Sequence, residues 1–309
     1  MKVAVTGGTG FVGSGLVKAL QAAGHEVLVL TRDAAKARRI FPEAVVPQVT
    51  LVAYTPQMSG DWQATISGCD GVVNLAGAPI SERWTAAHKQ AMMDSRKVGT
   101  EKLVEAIAQA EVKPKVLVSA SAIGYYGTSE TATFDEASVP AKRDFLSQIC
   151  QAWESAALNV KDIEGVRLVI PRIGIVLGDG GALERMLTPF RLFAGGPIGS
   201  GKQWFSWIHR DDLVAILMRS LTDESMNGVY NATAPNPVRM SQACEALGQA
   251  INRPSWLPVP DFVIEALLGD GAVVVLEGQQ VLPKQLKLAG YEYQYPTVDQ
   301  AMKAVVTAL

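Results

Sequence analysis

The sequence predicts an α/β protein: a Rossmann-type, doubly wound parallel sheet followed by a small, mostly helical C-terminal portion. Three observations carry that expectation. Short β-branched runs alternate with amphipathic stretches through the first two-thirds of the chain. A glycine-rich turn at residues 7–13 lies between the first such run and the first amphipathic stretch. Beyond Pro237, prolines at 254, 258, 260, 283 and 296 break the chain into short pieces.

The runs at 3–5, 27–30, 49–52, 72–75, 116–119 and 166–170 read as strands, with helices at 11–23, 85–109 and 145–160 between them. The strands are almost continuously apolar, which implies a parallel sheet covered by helices on both faces. After Pro171 the pattern changes. Gly178–Gly181 opens a helix, residues 195–201 form a glycine-rich loop, a helix follows at 211–221, and a strand at 229–232 returns to the sheet. This divides the chain into a dinucleotide-binding domain, 1–173 with about 209–235, and a small substrate domain, about 174–208 with 236–309.

A chain of 309 residues that is 48% hydrophobic can bury a large core. Its 28 basic and 30 acidic residues nearly cancel, so nothing in its charge favours nucleic acid or an anionic membrane. No apolar stretch is long enough to span a bilayer, so no membrane insertion is expected. Cys69, Cys150 and Cys244 are widely spaced, and the only histidines are His25, His88 and His209. That pattern fits a reducing compartment and argues for neither a disulfide framework nor a metal site. With no signal-peptide pattern at the N-terminus, the expected location is cytoplasmic.

Thr6-Gly7-Gly8-Thr9-Gly10-Phe11-Val12-Gly13 follows a strand and opens a helix, the context a phosphate-binding turn requires. Gly7 permits the tight turn, Gly10 lets backbone approach a pyrophosphate, and Gly13 allows close helix–sheet packing. The free N–H groups and dipole of the first helical turn then favour the phosphates. Thr9, Phe11 and Val12 complete that set. At the end of the second strand stands Arg32, where an NAD site carries an acidic residue. A guanidinium there suits a 2′-phosphate, so NADP(H) is expected over NAD(H), although Asp33 stands next to it.

With this turn in place, Asn74-Leu75-Ala76-Gly77 at the end of the fourth strand makes the chain resemble the extended short-chain dehydrogenase/reductase superfamily. The segments Val118–Gly127, Pro171–Gly178, Gly199–His209 and Val281–Leu286 are similar to its atypical "epimerase family" subgroup. Members of that subgroup carry a short C-terminal domain, and some bear a cell-division-inhibitor label. The resemblance implies a nicotinamide cofactor across the carboxyl ends of the strands. It places Leu75, Ala76 and Gly77 beside the adenine ribose, and Arg172, Ile173, Gly174 and the residues to Val176 at the nicotinamide end. It also puts Ser121 at the catalytic Ser/Thr position.

The superfamily's Tyr and Lys, four residues apart on one helix, align with Leu146 and Cys150, with Glu154 as the acidic residue that follows. Leu has no proton to give, and a thiol is no cation. Two substitutes stand nearby: a phenol from Tyr125 or Tyr126, and Cys150 itself with Lys142 and Arg143 upstream, although a buried inert thiol is the plainer reading. The candidate catalytic residues are therefore Ser121 and Tyr125. Arg83 could reach a cofactor phosphate, while Trp84 packs. Ser95 and Arg96 would line the interior in a structural role. Trp204 and His209, beyond the second glycine-rich loop, are the substrate candidates.

Two readings stand open. One is an NADP(H)-dependent oxidoreductase or epimerase-like enzyme of an unknown small substrate. The other is a degenerate NADP(H)-binding sensor or scaffold with a protein partner, linked to cell or plastid division.

Overall fold

Val3, Val5, Val27 and Val29 turn one way from their strands, while Ala4, Leu28 and Leu30 turn the other, and all are buried. A strand apolar on both sides is stable only between two covering layers. The computed structural model, which describes residues 1–141 and 143–308 (side chains at 182 and 185 set aside), has that arrangement. Lys142, noted above as a neighbour of Cys150, lies outside the described residues.

The main strands are β1 (Lys2–Thr6), β2 (Glu26–Thr31), β3 (Val49–Ala53), β4 (Gly71–Asn74), β5 (Val116–Ser119), β6 (Arg167–Ile173) and β7 (Gly228–Ala232). They pair in parallel in the order β7-β6-β5-β4-β1-β2-β3. The order reverses between β1 and β4, and in such sheets the crevice above that switch point receives the ligand.

The helices are α1 (Phe11–Ala22), α2 (Ala34–Ile40), α3 (Ala86–Gln109), α4 (Phe145–Leu158), α5 (Gly181–Arg191), α6 (Arg210–Thr222), α7 (Met240–Ala250), α8 (Asp261–Leu268), α9 (Val273–Leu276), α10 (Lys284–Leu288) and α11 (Val298–Thr307). On one face Leu16, Val17 and Leu20 of α1 and Leu213, Ile216 and Leu217 of α6 pack on Val3, Val5, Val29 and Val73. On the other, Leu103, Val104 and Ile107 of α3 and Ala157 of α4 cover Ala4, Leu28, Val72 and Leu117. A third apolar cluster joins Leu183, Leu187 and Phe190 of α5 to Phe205, Trp207, Leu247, Met302 and Val305, uniting the 175–209 segment with α7 and α11. Among the described residues no helix is long and apolar enough to cross a membrane.

Several boundaries differ from the expected ones. The fourth strand ends at Asn74, whose side chain turns inward to Thr100 and Ser119. The sixth continues through Pro171 to Ile173. Pro171 falls between the last pair with β5, Val118–Val169, and the first with the short strand Ser121–Ala122, Ser121–Arg172. Its missing N–H therefore costs no ladder bond on that side. The fourth helix stops at Leu158 and continues as a single 3₁₀ turn, Asn159–Asp162. Helix α2 was not anticipated because its apolar pattern is thin. Its start signal is Asp33, whose carboxylate accepts from Lys36 N at 2.9 Å.

Candidate functional site

The turn from β1 into α1 is built around three glycines. Gly7 has φ of +67°, and a Cβ there would lie 2.7 Å from the Leu75 carbonyl carbon. Gly10 N donates to Gly7 O at 2.9 Å and caps α1 with no side chain in the way. At Gly13 a Cβ would come within 2.2 Å of Gly7 O, so α1 lies directly against the loop. Thr6 ties the turn to β4: its Oγ1 donates to Asn74 Oδ1 at 2.7 Å and accepts from Leu75 N and Ala76 N. No side chain caps the first turn of α1, and that turn holds no acidic residue. Its N–H groups are thus left for an anion. At the far end of β2, Arg32 is exposed beside Asp33, whose carboxylate is engaged as the α2 cap.

A cavity of about 620 Å³ lies over the carboxyl ends of the strands. Phe11 opens it at the α1 end, Ala122 to Gly124 and Ile173 to Val176 form its floor, and Trp204, Val273 and Val274 close it from the C-terminal portion. Of the expected cofactor residues, Phe11, Ile173 and Gly174 therefore meet at one cavity. Thr9, Gly10 and Val12 stay with the glycine turn, Leu75 and Ala76 run beside Gly7, and Gly77 lies against Arg96. Arg83 is placed elsewhere: it is exposed and donates to Ala266 O near the end of α8, at 2.7 Å.

Arg172 is turned away from the cavity. It anchors a buried network beneath the floor, donating through Nε and Nη2 to Glu154 Oε1 and Oε2, both at 2.8 Å. Ser121 Oγ donates to the same Oε1 at 2.7 Å. Arg172 Nη1 donates to the Tyr126 hydroxyl, which donates in turn to Asn231 Oδ1 at 2.7 Å. Burial pulls the Arg172 pKa down, but Glu154 and Tyr126 more than offset this, and the guanidinium is held charged. Burial raises the Tyr126 phenol to about 12 despite Arg172.

Ser121 borders the cavity but is only 1% exposed, and its hydroxyl is engaged in this network, while Ala122, the next residue, is the more open. The Tyr125 ring lies over Arg172, with the guanidinium carbon 3.4 Å from the ring centroid. No hydrogen bond joins Ser121 to Tyr125 among the described residues. Trp204 reaches the cavity, its Nε1 donating to Glu130 O and its ring beneath Arg239. His209 does not. Its Nδ1 accepts from Asp211 N as the cap of α6, and its ring packs on Tyr295. Burial lowers its pKa, the nearby aspartates opposing.

Leu146 and Cys150 both line the cavity. Burial, with the Glu154 charge adding to it, pushes the Cys150 thiol up to about 12. Burial also raises Cys69, and raises Cys244 to about 11. Ellman's reagent at pH 8 is therefore expected to label no cysteine of the folded chain and all three after unfolding, since all three are buried and burial disfavours the thiolate at each. Rapid labelling of one thiol in the native protein would show that a thiolate is available.

Two cavity residues escaped the sequence analysis or were undervalued by it. Asp144 caps α4 through Oδ1, which accepts from Ser147 N at 2.9 Å, while its buried Oδ2 has no partner. Arg96 was read as structural, yet it lines the same cavity. The only signal for Asp144 was its position before a helix, and Arg96 offered none beyond its charge on an amphipathic helix.

Taken together, the reversed sheet order, the glycine cradle at its switch point and the cavity beyond it define a Rossmann-type dinucleotide-fold protein. The family model for the NAD dependent epimerase/dehydratase family matches residues 3–233, and a domain of unknown function, DUF1731, matches 259–305. The chain belongs to the NAD dependent epimerase/dehydratase family. It is 50% identical over 309 residues to the chloroplastic epimerase family protein SDR39U1 homolog of Arabidopsis thaliana, covering 99% of this chain and 87% of that protein. To epimerase family protein YfhF of Bacillus subtilis it is 36% identical, covering 99% and 98%. The crystal structure of human epimerase family protein SDR39U1 (isoform 2) with NADPH superposes with a TM-score of 0.87 at 36% identity, covering the whole of both chains.

Proposed function

We propose that this chain binds NADP(H) in the glycine cradle and acts as an oxidoreductase or epimerase-like enzyme on a small carbonyl or hydroxyl compound held in the 620 Å³ cavity. The observation that carries this reading is the continuity of cradle and cavity: Phe11, in the first turn of α1, itself lines the cavity together with Gly174. The cradle fits a pyrophosphate because a Cβ at Gly7 or Gly13 would fill it with backbone clashes. The NADPH complex of the human relative supports the same cofactor class.

When bound, the nicotinamide would supply a hydride acceptor or donor. Thr9, Gly10, Phe11, Val12 and Gly13 would hold the phosphates, Leu75, Ala76 and Gly77 would border the ribose, and Ile173 and Gly174 would border the nicotinamide end. Residues 174–176, 204, 206, 273, 274 and 277–279 border the cavity and are the proposed substrate side, which supports dividing the chain into a cofactor portion and a smaller substrate portion. The cytoplasmic location belongs to this proposal and rests on the sequence alone.

Arg32 is the proposed 2′-phosphate ligand, supported by its exposure and by the engagement of Asp33 as a helix cap. Arg32→Ser is expected to weaken NADPH roughly 10-fold or more and to leave NADH nearly unchanged, as loss of a charge-assisted contact requires. Equal losses for both cofactors in fluorescence titration would remove Arg32 from that role.

The direct test of activity is transfer of deuterium from C4-deuterated NADPH to a panel of small carbonyl compounds. The proton-handling role proposed for Ser121 and Tyr125 is tested by the Ser121→Ala/Tyr125→Phe double variant. Unchanged turnover would exclude the pair. A second reading, a cofactor-binding sensor without chemistry, draws on Leu146 and the protonated Cys150. NADPH binding without deuterium transfer, together with partner capture that depends on NADPH, is its expected signature.

A further inference from the structure

Arg96 is the one cation among the described residues that line the cavity, where Asp144, Glu184 and Glu277 also stand. It lies on α3, and its segment is braced. Nη1 donates to Ala78 O at 3.0 Å and to Met92 O at 3.3 Å, and the guanidinium carbon lies 5.1 Å from the Trp153 ring centroid. Ser95 Oγ accepts from Ala78 N at 2.9 Å, pinning the 77–80 backbone to the same helix.

Nε and Nη2 donate to nothing among the described residues, and no carboxylate forms an ion pair with Arg96 there. Gly77 lies over the flat face of the guanidinium, where a Cβ would fall 2.8 Å from Cζ, 3.0 Å from Nη2 and 3.2 Å from Nε, so the edge itself is not what Gly77 covers. The neighbouring Cys150 carries no compensating negative charge. A partly desolvated guanidinium is costly without an anion, and burial accordingly lowers its pKa. Two parallel N–H donors on one edge match the two oxygens of a carboxylate or phosphate.

We infer that Arg96 is the oxyanion-binding residue of the cavity, taking two oxygens of one ligand group on its Nε and Nη2 edge. The group is a phosphate of the cofactor or a carboxylate of the second ligand, and only the cofactor source rests on the function proposed above. Arg96 thereby supplies the cavity with the positive charge that Cys150 cannot.

The experiment is calorimetric titration of the full chain with NADPH and with inorganic pyrophosphate, then of the NADPH-loaded chain with hexanoate and hexanamide. Arg96→Met is expected to weaken one oxyanion ligand roughly 10- to 100-fold, as loss of a bidentate charged contact implies. A loss on NADPH and pyrophosphate places the cofactor phosphate at Arg96. A loss on hexanoate, with hexanamide failing to bind the parent chain, places a substrate carboxylate there. Arg96→Lys, which keeps the charge without the paired edge, is expected to recover only part of the affinity. Gly77→Ala, whose Cβ would press on the face of the guanidinium and displace it, should weaken the same ligand. Arg96→Met that is folded by circular dichroism and binds NADPH, pyrophosphate and hexanoate within about twofold of the parent would overturn the inference. A parent chain that binds no NADPH would overturn the cofactor reading alone. Arg96 is then judged on pyrophosphate and hexanoate with the unliganded chain.

Discussion

Gly13→Ala is expected to abolish measurable NADPH binding, a loss of about 100-fold or more, equivalent to about 3 kcal/mol. The added Cβ would meet Gly7 O at 2.2 Å, Gly8 Cα at 2.8 Å and the Gly7 carbonyl carbon at 2.9 Å. All three are backbone atoms of the proposed phosphate loop, so no flexible side chain can yield. Either α1 moves off the sheet or the loop opens, and both take the N–H groups of the first turn away from the pyrophosphate. The melting temperature should fall as well, because Leu16, Val17 and Leu20 share the same helix and sit in the core. Gly10→Ala provides the graded comparison. Its Cβ would stand 3.2 Å from Gly7 O, so the fold should tolerate it better. Parent-like NADPH affinity and melting in Gly13→Ala would show that the loop does not hold the cofactor.

Glu154→Ala is expected to cost about 3–5 kcal/mol of folding stability, because it leaves a buried guanidinium without its anion. Arg172 and Glu154 have side chains only 5% and 8% exposed, and their contact is bidentate. The same substitution frees the Ser121 hydroxyl and removes the charge that holds Arg172 against Tyr126. Arg172→Met added to Glu154→Ala should cost less than the sum of the two single changes, since the pair then leaves together and no charge stays buried alone. Urea unfolding of the four proteins measures this. A cost below about 1 kcal/mol for Glu154→Ala would mean that water or another group replaces the carboxylate.

These two experiments separate features that differ in how the chain encodes them. The glycine cradle is local. Its residues lie within one turn, their spacing follows from backbone conformation and packing, and a strand before and a helix after mark the place. The parallel sheet is legible for a similar reason: strands buried on both faces leave no polar alternation, and the helices between them carry their own periodicity. Even so, Asp33 reads in the sequence only as an acidic neighbour of Arg32, when its local geometry is that of a cap. His209 likewise stood out as a rare residue type, yet its ring nitrogen closes the start of α6.

The buried network was not legible in this way. Ser121 and Glu154 are 33 residues apart, and Tyr126 and Asn231 are 105 apart. Spacing could suggest that Ser121 and Tyr125 share a site, but it could not say which way each side chain turns. The register of the Ser121–Ala122 strand against Arg172 and Ile173 decided that, giving the serine hydroxyl to Glu154 although Ser121 and Ala122 both border the cavity. Arg96 followed the same rule. On α3 it is one charge among several, and only the approach of the Gly77 turn and Trp153 leaves it braced at a cavity with no counter-ion among the described residues. Sequence alone thus determined the fold class and the cradle, because both follow from short-range periodicity and backbone sterics. Tertiary structure decided which polar groups are paired in the interior and which face a ligand, because a hydrogen bond or ion pair forms wherever packing brings its partners together, regardless of their separation along the chain.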